Sequence, residues 1–370
     1  MAQIKTPVIY ENSPGILAAG GAKIAEYGSR IFIIGGQKAL DAARPLIEGL
    51  KLLDAAYEIH TYGGYCTKER IIHYASVARQ SKADVIVGVG GGTVLDLSKA
   101  VAEDLQLPVI AVPTIAATCA AWSALSVLYD EHGRADGYRP LQNSPVHVLA
   151  DTNVLAAAPR RYLAAGIADT YVKWDEYGAN ITDDENDFDV RLGQHTAGFA
   201  RDVLDRYALD AFAHAGDGEP SRAFKEVSDA ILWLAGQVGS IRGDKRLFAL
   251  AHTLHGSLTF FPETRGTLHG EKIAFTLLVH TILEGLPQAD TVELAERFHR
   301  LELPVTLEQL GLTGDVAELA EQIAERVPPN SLPGADAAFA VNAGSIPQAI
   351  VAADQIGKQT RLTLSVKGGK

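Results

Sequence analysis

The segment GVGGGTVLDLSKA (residues 88–100) decides how the first half of the chain is read. ADVIVGVGGG (83–92) is a short, apolar, β-branched run that ends in glycines, the signature of a buried strand, and VLDLSKAVAEDL (94–105) follows at once with helical period. Gly90, Gly91 and Gly92 therefore stand at a strand-to-helix junction. Glycines at such a place let the backbone approach a bulky anion, and the free N–H groups of the helix start point at it with the helix dipole in support. That reading is a pyrophosphate site. A tight turn with unusual backbone angles would use the same residues, and the spacing is not GxGxxG, so the glycines alone leave both readings open.

Working outward, SRIFIIGG (29–36) reads as a strand running into a glycine turn, TKERIIHYASVARQS (67–81) as an amphipathic helix, and PVIAVPT (108–114) and VHVLAD (146–151) as further buried strands. This alternation predicts a parallel sheet built from βαβ units. SVLYDEHGRADGYRP (126–140) predicts a hairpin with its turn near His132-Gly133. Beyond Pro159 strands nearly vanish, and helical stretches such as RYLAAGIADTYVKWDEYGAN (161–180) and KEVSDAILWLAGQVGSI (225–241) take over. The expected fold class is α/β: a Rossmann-like parallel-sheet domain over residues 1–158 and an all-helical domain over 159–370, with a ligand cleft between them.

Composition narrows the function. The 370 residues are 47% hydrophobic and 21% charged, as in soluble globular proteins, and no stretch approaches eighteen uninterrupted apolar residues. The opening residues lack a basic region followed by an apolar one, so the expected location is cytoplasmic. Two distant cysteines, Cys66 and Cys119, exclude a disulfide framework and a Cys-rich zinc cage, leaving His and carboxylate as metal ligands. A net charge of −12 argues against nucleic acid or an anionic membrane as partner and makes a small molecule the default ligand.

Two later stretches carry chemistry. VPTIAATCAAWSALSVLYDEHG (112–133) offers the hydroxyls of Thr114, Thr118 and Ser123 where a buried strand ends, which suits a nicotinamide amide and ribose, although a solvent-facing Ser/Thr loop would look the same. AHTLHGSLTFFPETRGTLHG (251–270) packs three of the eleven histidines into twenty residues.

Taken together, GVGGGTVLDLSKA, VPTIAATCAAWSALSVLY, AAGIADTYVKW, AHTLHGSL and TLHGEKIAF resemble the iron-containing alcohol dehydrogenase superfamily, in its glycerol dehydrogenase-like branch. The resemblance runs from the N-terminus to the last helices. It implies the dehydroquinate synthase-like fold, with a dinucleotide-binding N-terminal domain, a helical domain that binds metal and substrate, and hydride transfer assisted by a divalent metal. It places Gly91, Gly92, Thr93 and Asp96 on the pyrophosphate side and Thr114, Ser123, Leu125 and Tyr129 on the nicotinamide side. Asp169, His252 and His269 fall on the family's metal ligands. One carboxylate and two imidazoles form an open site that suits Zn²⁺ first, then Fe²⁺ or Mn²⁺. His255 shares a helix face with His252 and is expected to be a catalytic pocket residue and proton relay. A homo-oligomer is expected.

Departures from the branch sharpen the substrate. Glycerol dehydrogenases carry an Asp where this chain has Cys119, with Trp122 nearby, and the TCAAW form resembles the hydroxycarboxylate dehydrogenase subgroup. Loss of that negative charge removes a reason to reject an anion, so a 2-hydroxy or 2-oxo acid is expected, with glycerol or another polyol as the alternative. After SRIFIIGG, Gly36 and Lys38 stand where NAD-preferring members place an Asp, so NADP(H) is expected ahead of NAD(H). Thr93 replaces a Lys of the glycerol dehydrogenases. A dehydroquinate synthase-like cyclase would need a basic cluster that these motifs lack, and a non-catalytic binding protein would have lost the metal ligands.

Overall fold

The computed structural model describes residues 3–178, 188–242, 248–334 and 337–368. Its strands are β1 (Gln3–Ile4), β2 (Ile9–Ser13), β3 (Arg30–Gly35), β4 (Ala56–Thr61), β5 (Val85–Gly90), β6 (Val109–Pro113), β7 (Leu125–Tyr129), β8 (Ala135–Pro140), β9 (His147–Asp151) and β10 (Ile241–Arg242). Six of them form one sheet in the order β2-β9-β6-β5-β3-β4, and every pairing in it is parallel. This is the α/β sheet that the alternating pattern predicts.

The strands read as continuous apolar runs because both faces of the sheet are covered. Ile31, Ile33, Val85, Val87 and Val89 pack on one side with Leu17 and Leu46. Their neighbours Phe32, Ile34 and Ile86 pack on the other with Leu97 and Val101, the period-two alternation of a strand. Gly88 interrupts the bulk for a steric reason: a Cβ there would lie 2.7 Å from Ser98 Oγ and 2.8 Å from Ser98 Cβ, so the helix Gly92–Leu105 rests directly on the strand that leads into it.

Strand order also fixes where a ligand can bind. β3 lies between β4 and β5, so the chain passes to one side of β3 first and to the other side next. Such a reversal opens a crevice at the carboxyl ends of the two central strands. Gly35-Gly36 ends one of them and Gly90-Gly91-Gly92 the other.

The predicted hairpin is present as antiparallel β7 and β8. Gly133 takes φ +79 in its turn, and Asp130 Oδ1 accepts from the N–H groups of His132 and Arg134 at 2.8 Å each. The helical stretch predicted over 225–241 is less uniform than its composition suggests. It comprises the α-helix Arg222–Asp229, a π-helical turn Ala230–Leu234 and the α-helix Ala235–Ser240.

The chain divides into two compact units. One holds Ala2–Leu163 and Val203–Arg242, and so contains the whole sheet; the other holds Ala164–Asp202 and Gly243–Lys370. The second unit has no strand among its described residues. Its core gathers Leu254, Ile273, Phe275, Leu277, Phe298 and Ile350, all buried. Among the described residues no helix is long and apolar enough to cross a membrane. The final two positions of the helix predicted over 161–180 lie outside the described residues.

Because Gly88 leaves no room for a methyl group, Gly88→Ala is expected to destabilise the chain by about 1–3 kcal/mol through overpacking. Chemical denaturation measures this as a lower midpoint with an unchanged slope; an unmoved midpoint would contradict the close strand-helix approach.

Candidate functional site

Three helices bring a carboxylate and two imidazoles together. Asp169 lies in the helix Arg160–Gly178, one turn after Ala165. His269 is the first residue of the helix His269–Glu284, and the Glu271 carboxylate caps that helix by accepting from the Leu268 N–H at 2.7 Å. The two helices touch backbone to backbone: a Cβ on Gly270 would lie 1.9 Å from the Ala165 carbonyl oxygen. That contact sets His269 beside Asp169, with His269 Nε2 3.4 Å from Asp169 Oδ1. His252, from the helix Leu250–Leu258, places its own Nε2 3.4 Å from the same oxygen. All three ligand atoms lie within 4.8 Å of one another. Atoms bound tetrahedrally at about 2.1 Å from an ion are separated by about 3.4 Å, so the donor set fits a divalent metal in both chemistry and spacing.

A second layer orients these groups. Glu176 accepts from the His252 backbone N–H at 3.0 Å and contacts His252 Nδ1 at 2.8 Å, leaving Nε2 toward Asp169. His255 Nε2 lies 3.1 Å from His269 Nδ1. Lys173 Nζ donates to Asp169 Oδ1 at 3.0 Å. Burial opposes ionisation of Asp169, but Lys173 and the two imidazoles outweigh it and hold the carboxyl well below its usual range. Burial also disfavours a charged His252, yet Glu176 prevails and raises it to about 9. For His269 burial is the largest influence and lowers it. Burial, with His269 and Lys272 nearby, pushes His255 well down.

The dinucleotide residues predicted from sequence gather in the sheet unit. Gly91, Gly92 and Thr93 are half-buried at the start of the helix Gly92–Leu105, where no side chain caps the N-terminus among the described residues; the Val94 and Leu95 N–H groups donate to Gly91 O at 3.1 Å each, and the N–H groups that precede them face an anion site. The Thr114 N–H donates to Gly90 O at 3.2 Å, tying the end of β6 to the glycine turn. Thr118 Oγ1 accepts from the Ala120 N–H at 3.2 Å. Gly36 caps the short helix after β3, and Lys38 is exposed in its first turn. Asp96 is buried and paired with Lys99 at 2.9 Å. The fully buried Lys99 also donates to Ser123 O at 3.1 Å, to Ser123 Oγ at 3.0 Å and to Leu125 O. Tyr129, the last residue of β7, is half-buried with its ring against Tyr65. Cys119 is half-buried, whereas Trp122 is buried against Tyr10 and stacked on Trp233 at 6.3 Å, its Nε1 without a hydrogen-bond partner among the described residues.

Sequence reading missed Glu176 and Lys99. Both carried a signal. Glu176 follows Asp169 by seven residues and Lys173 by three, which puts all three on one helix face. Lys99 follows Asp96 by three on a helix whose other buried residues are almost all apolar.

Comparison with known proteins identifies the family. The family model described as iron-containing alcohol dehydrogenase matches residues 7–152. Hydroxycarboxylate dehydrogenase A of Escherichia coli (strain K12) is 36% identical over 304 residues, 81% of this chain and 83% of that protein. The chain belongs to the iron-containing alcohol dehydrogenase family. It is an oxidoreductase that acts on alcohol groups. A glycerol dehydrogenase of Pseudomonas putida is 32% identical over 367 residues, 96% of this chain and 98% of its own length. A probable glycerol dehydrogenase from Sinorhizobium meliloti 1021 shares the fold with TM-score 0.86 and 29% identity, covering 96% of this chain and 99% of that one.

Two measurements probe the centre. Since Glu176 keeps a proton on metal-free His252 up to about pH 9, metal uptake near pH 7 must release it, and apparent affinity is expected to rise with pH until about 9 and then level off. Calorimetry in buffers of different ionisation enthalpy counts that proton; uptake without release contradicts the pairing. Above this titration, Glu176→Gln is expected to bind Zn²⁺ roughly 10- to 100-fold more weakly by chelator competition, because the imidazole loses its orienting carboxylate.

Proposed function

We propose that this enzyme transfers hydride between NADP(H) and C2 of a small 2-hydroxy or 2-oxo acid, with Asp169, His252 and His269 as metal ligands. The observation that carries the substrate class is the half-buried Cys119, which puts an uncharged group in the TIAATCAAW loop. Similarity to a hydroxycarboxylate dehydrogenase supports the same class.

When bound, a divalent ion, with Zn²⁺ preferred over Fe²⁺ or Mn²⁺, supplies Lewis acidity toward the substrate oxygen. The chain's own residues bind and orient. Glu176 fixes His252 through Nδ1. His269 donates its Nδ1 proton to His255 Nε2, which keeps the ligand nitrogen Nε2 unprotonated. His255 therefore has a positioning role in this proposal and replaces the proton relay expected from sequence. Gly91, Gly92 and Thr93 hold the pyrophosphate, and Lys38 receives the adenosine 2′-phosphate, with NAD(H) as the cofactor if it does not. Lys99 fixes the Ser123 and Leu125 backbone that, with Thr114, Thr118 and Tyr129, frames the nicotinamide side. Asp96, on the pyrophosphate side, acts by holding Lys99. Trp122 shapes the loop through its aromatic stack. Homo-oligomeric assembly and a cytoplasmic location belong to the same proposal.

A glycerol or other polyol dehydrogenase is the second reading, favoured by the glycerol dehydrogenase relatives. Metal-reconstituted enzyme separates the two. The expected result is a larger kcat/KM for NADPH-linked reduction of 2-oxobutyrate or 2-oxoglutarate than for NAD-linked oxidation of glycerol; the reverse order overturns the acid reading. In either case His269→Ala is expected to abolish turnover while leaving dinucleotide binding nearly intact, and a fully active variant would sink the ligand assignment.

A further inference from the structure

Resting on the pyrophosphate reading of Gly91, Gly92 and Thr93, we propose that the Tyr65 hydroxyl donates a hydrogen bond to a phosphate oxygen of the bound dinucleotide. β4 ends at Thr61, and Thr67 caps the next helix, Lys68–Gln80, so residues 62–67 cross the carboxyl end of the sheet. Ligands of an open α/β sheet bind outside that end. Packing anchors the crossing on both sides of the crevice. The Tyr62 N–H donates to Gly35 O at 2.8 Å, at the tip of β3. Cys66 shares an apolar cluster with Tyr62 and Val94, and Val94 lies in the first turn of the helix that follows β5. Gly63-Gly64-Tyr65 therefore runs from one glycine turn toward the other, and Tyr65 alone of the three brings a side chain.

That side chain is held in place. Its half-buried ring packs on Tyr129 with centroids 5.8 Å apart, and Cys66 O accepts from the Tyr129 N–H at 3.0 Å, which ties the loop to β7. The Tyr62 hydroxyl donates to Tyr65 O. A Cβ on Gly133 would lie 2.5 Å from the Tyr65 hydroxyl oxygen, so the hairpin turn backs the phenol only because position 133 has no side chain. The hydroxyl has no hydrogen-bond partner among the described residues. A tyrosine hydroxyl that meets only water is ordinary on an open surface. Here it ends a ring packed by two neighbours at the carboxyl end of the sheet, and a phosphate oxygen is the strongest acceptor that a dinucleotide brings there. The bond would add to the pull of the helix start on the same anion.

The test compares metal-loaded wild-type enzyme with Tyr65→Phe, which keeps the ring and its packing. Calorimetry measures the affinity for NADPH and for 2′-phospho-ADP-ribose, which carries the pyrophosphate without the nicotinamide. Tyr65→Phe is expected to bind both on the order of 10-fold more weakly. Assayed with the better of 2-oxobutyrate and glycerol, it is expected to show a matching rise in cofactor KM at little-changed kcat, and its denaturation midpoint is expected to stay where it is. Unchanged affinities, a loss confined to NADPH, or a loss accompanied by a lower midpoint overturns the phosphate contact while leaving the pyrophosphate reading standing. If the wild-type enzyme prefers NADH, then NADH and ADP-ribose form the test pair with the same expectations. A wild-type enzyme that binds neither dinucleotide overturns both.

Discussion

The absence of a side chain at Gly270 is the constraint on which the site depends. Only there can the first turn of the helix His269–Glu284 lie against the carbonyl of Ala165, where a methyl group would stand 1.9 Å from the oxygen. Asp169 lies one turn beyond Ala165 in the helix Arg160–Gly178 and His269 immediately precedes the glycine, so this one approach sets the carboxylate-to-imidazole spacing. A larger residue would push the helices apart, and ligand atoms now 3.4 Å apart would lose their common focus.

Buried ion pairs serve as positioning devices in both units. In the sheet unit Lys99, paired with Asp96, binds the Ser123 and Leu125 backbone and so fixes the loop that follows β6. In the helical unit Glu176 fixes His252, and His255 does the same for His269 without a charge. Such pairs return little net stability, since desolvation consumes most of the Coulombic gain. Their value lies in geometry: each leaves its client one orientation, which a site built from separate helices requires.

Much of this was legible in the sequence because it is written locally. β5 with its glycine turn, the helix behind it, and the β7-β8 hairpin follow from β-branched runs, glycines and turn residues within a few positions of one another. That Asp169, His252 and His269 would stand together is suggested only by resemblance to a family, since a lone histidine in an apolar setting is more often a core residue. Lys99 and Glu176 each have a charged neighbour three residues away, but they escaped notice because the groups they position, the Ser123 and Leu125 backbone and His252, are distant in sequence. The grouping of Val203–Arg242 with the sheet escaped for a different reason: helical period shows that a helix buries one face, but not which core receives it. The role of Gly270 was invisible too, since glycine at a helix start has many causes and only the distance to Ala165 selects one.

X-ray absorption spectroscopy of the Zn²⁺-loaded protein tests the central claim most directly, because it counts the atoms around the ion without reference to any substrate. The account predicts a first shell of nitrogen and oxygen only at about 2.0–2.1 Å, with the multiple-scattering pattern of two imidazoles. A sulfur scatterer at about 2.3 Å, which would bring Cys119 to the ion, or a shell without imidazole would contradict it.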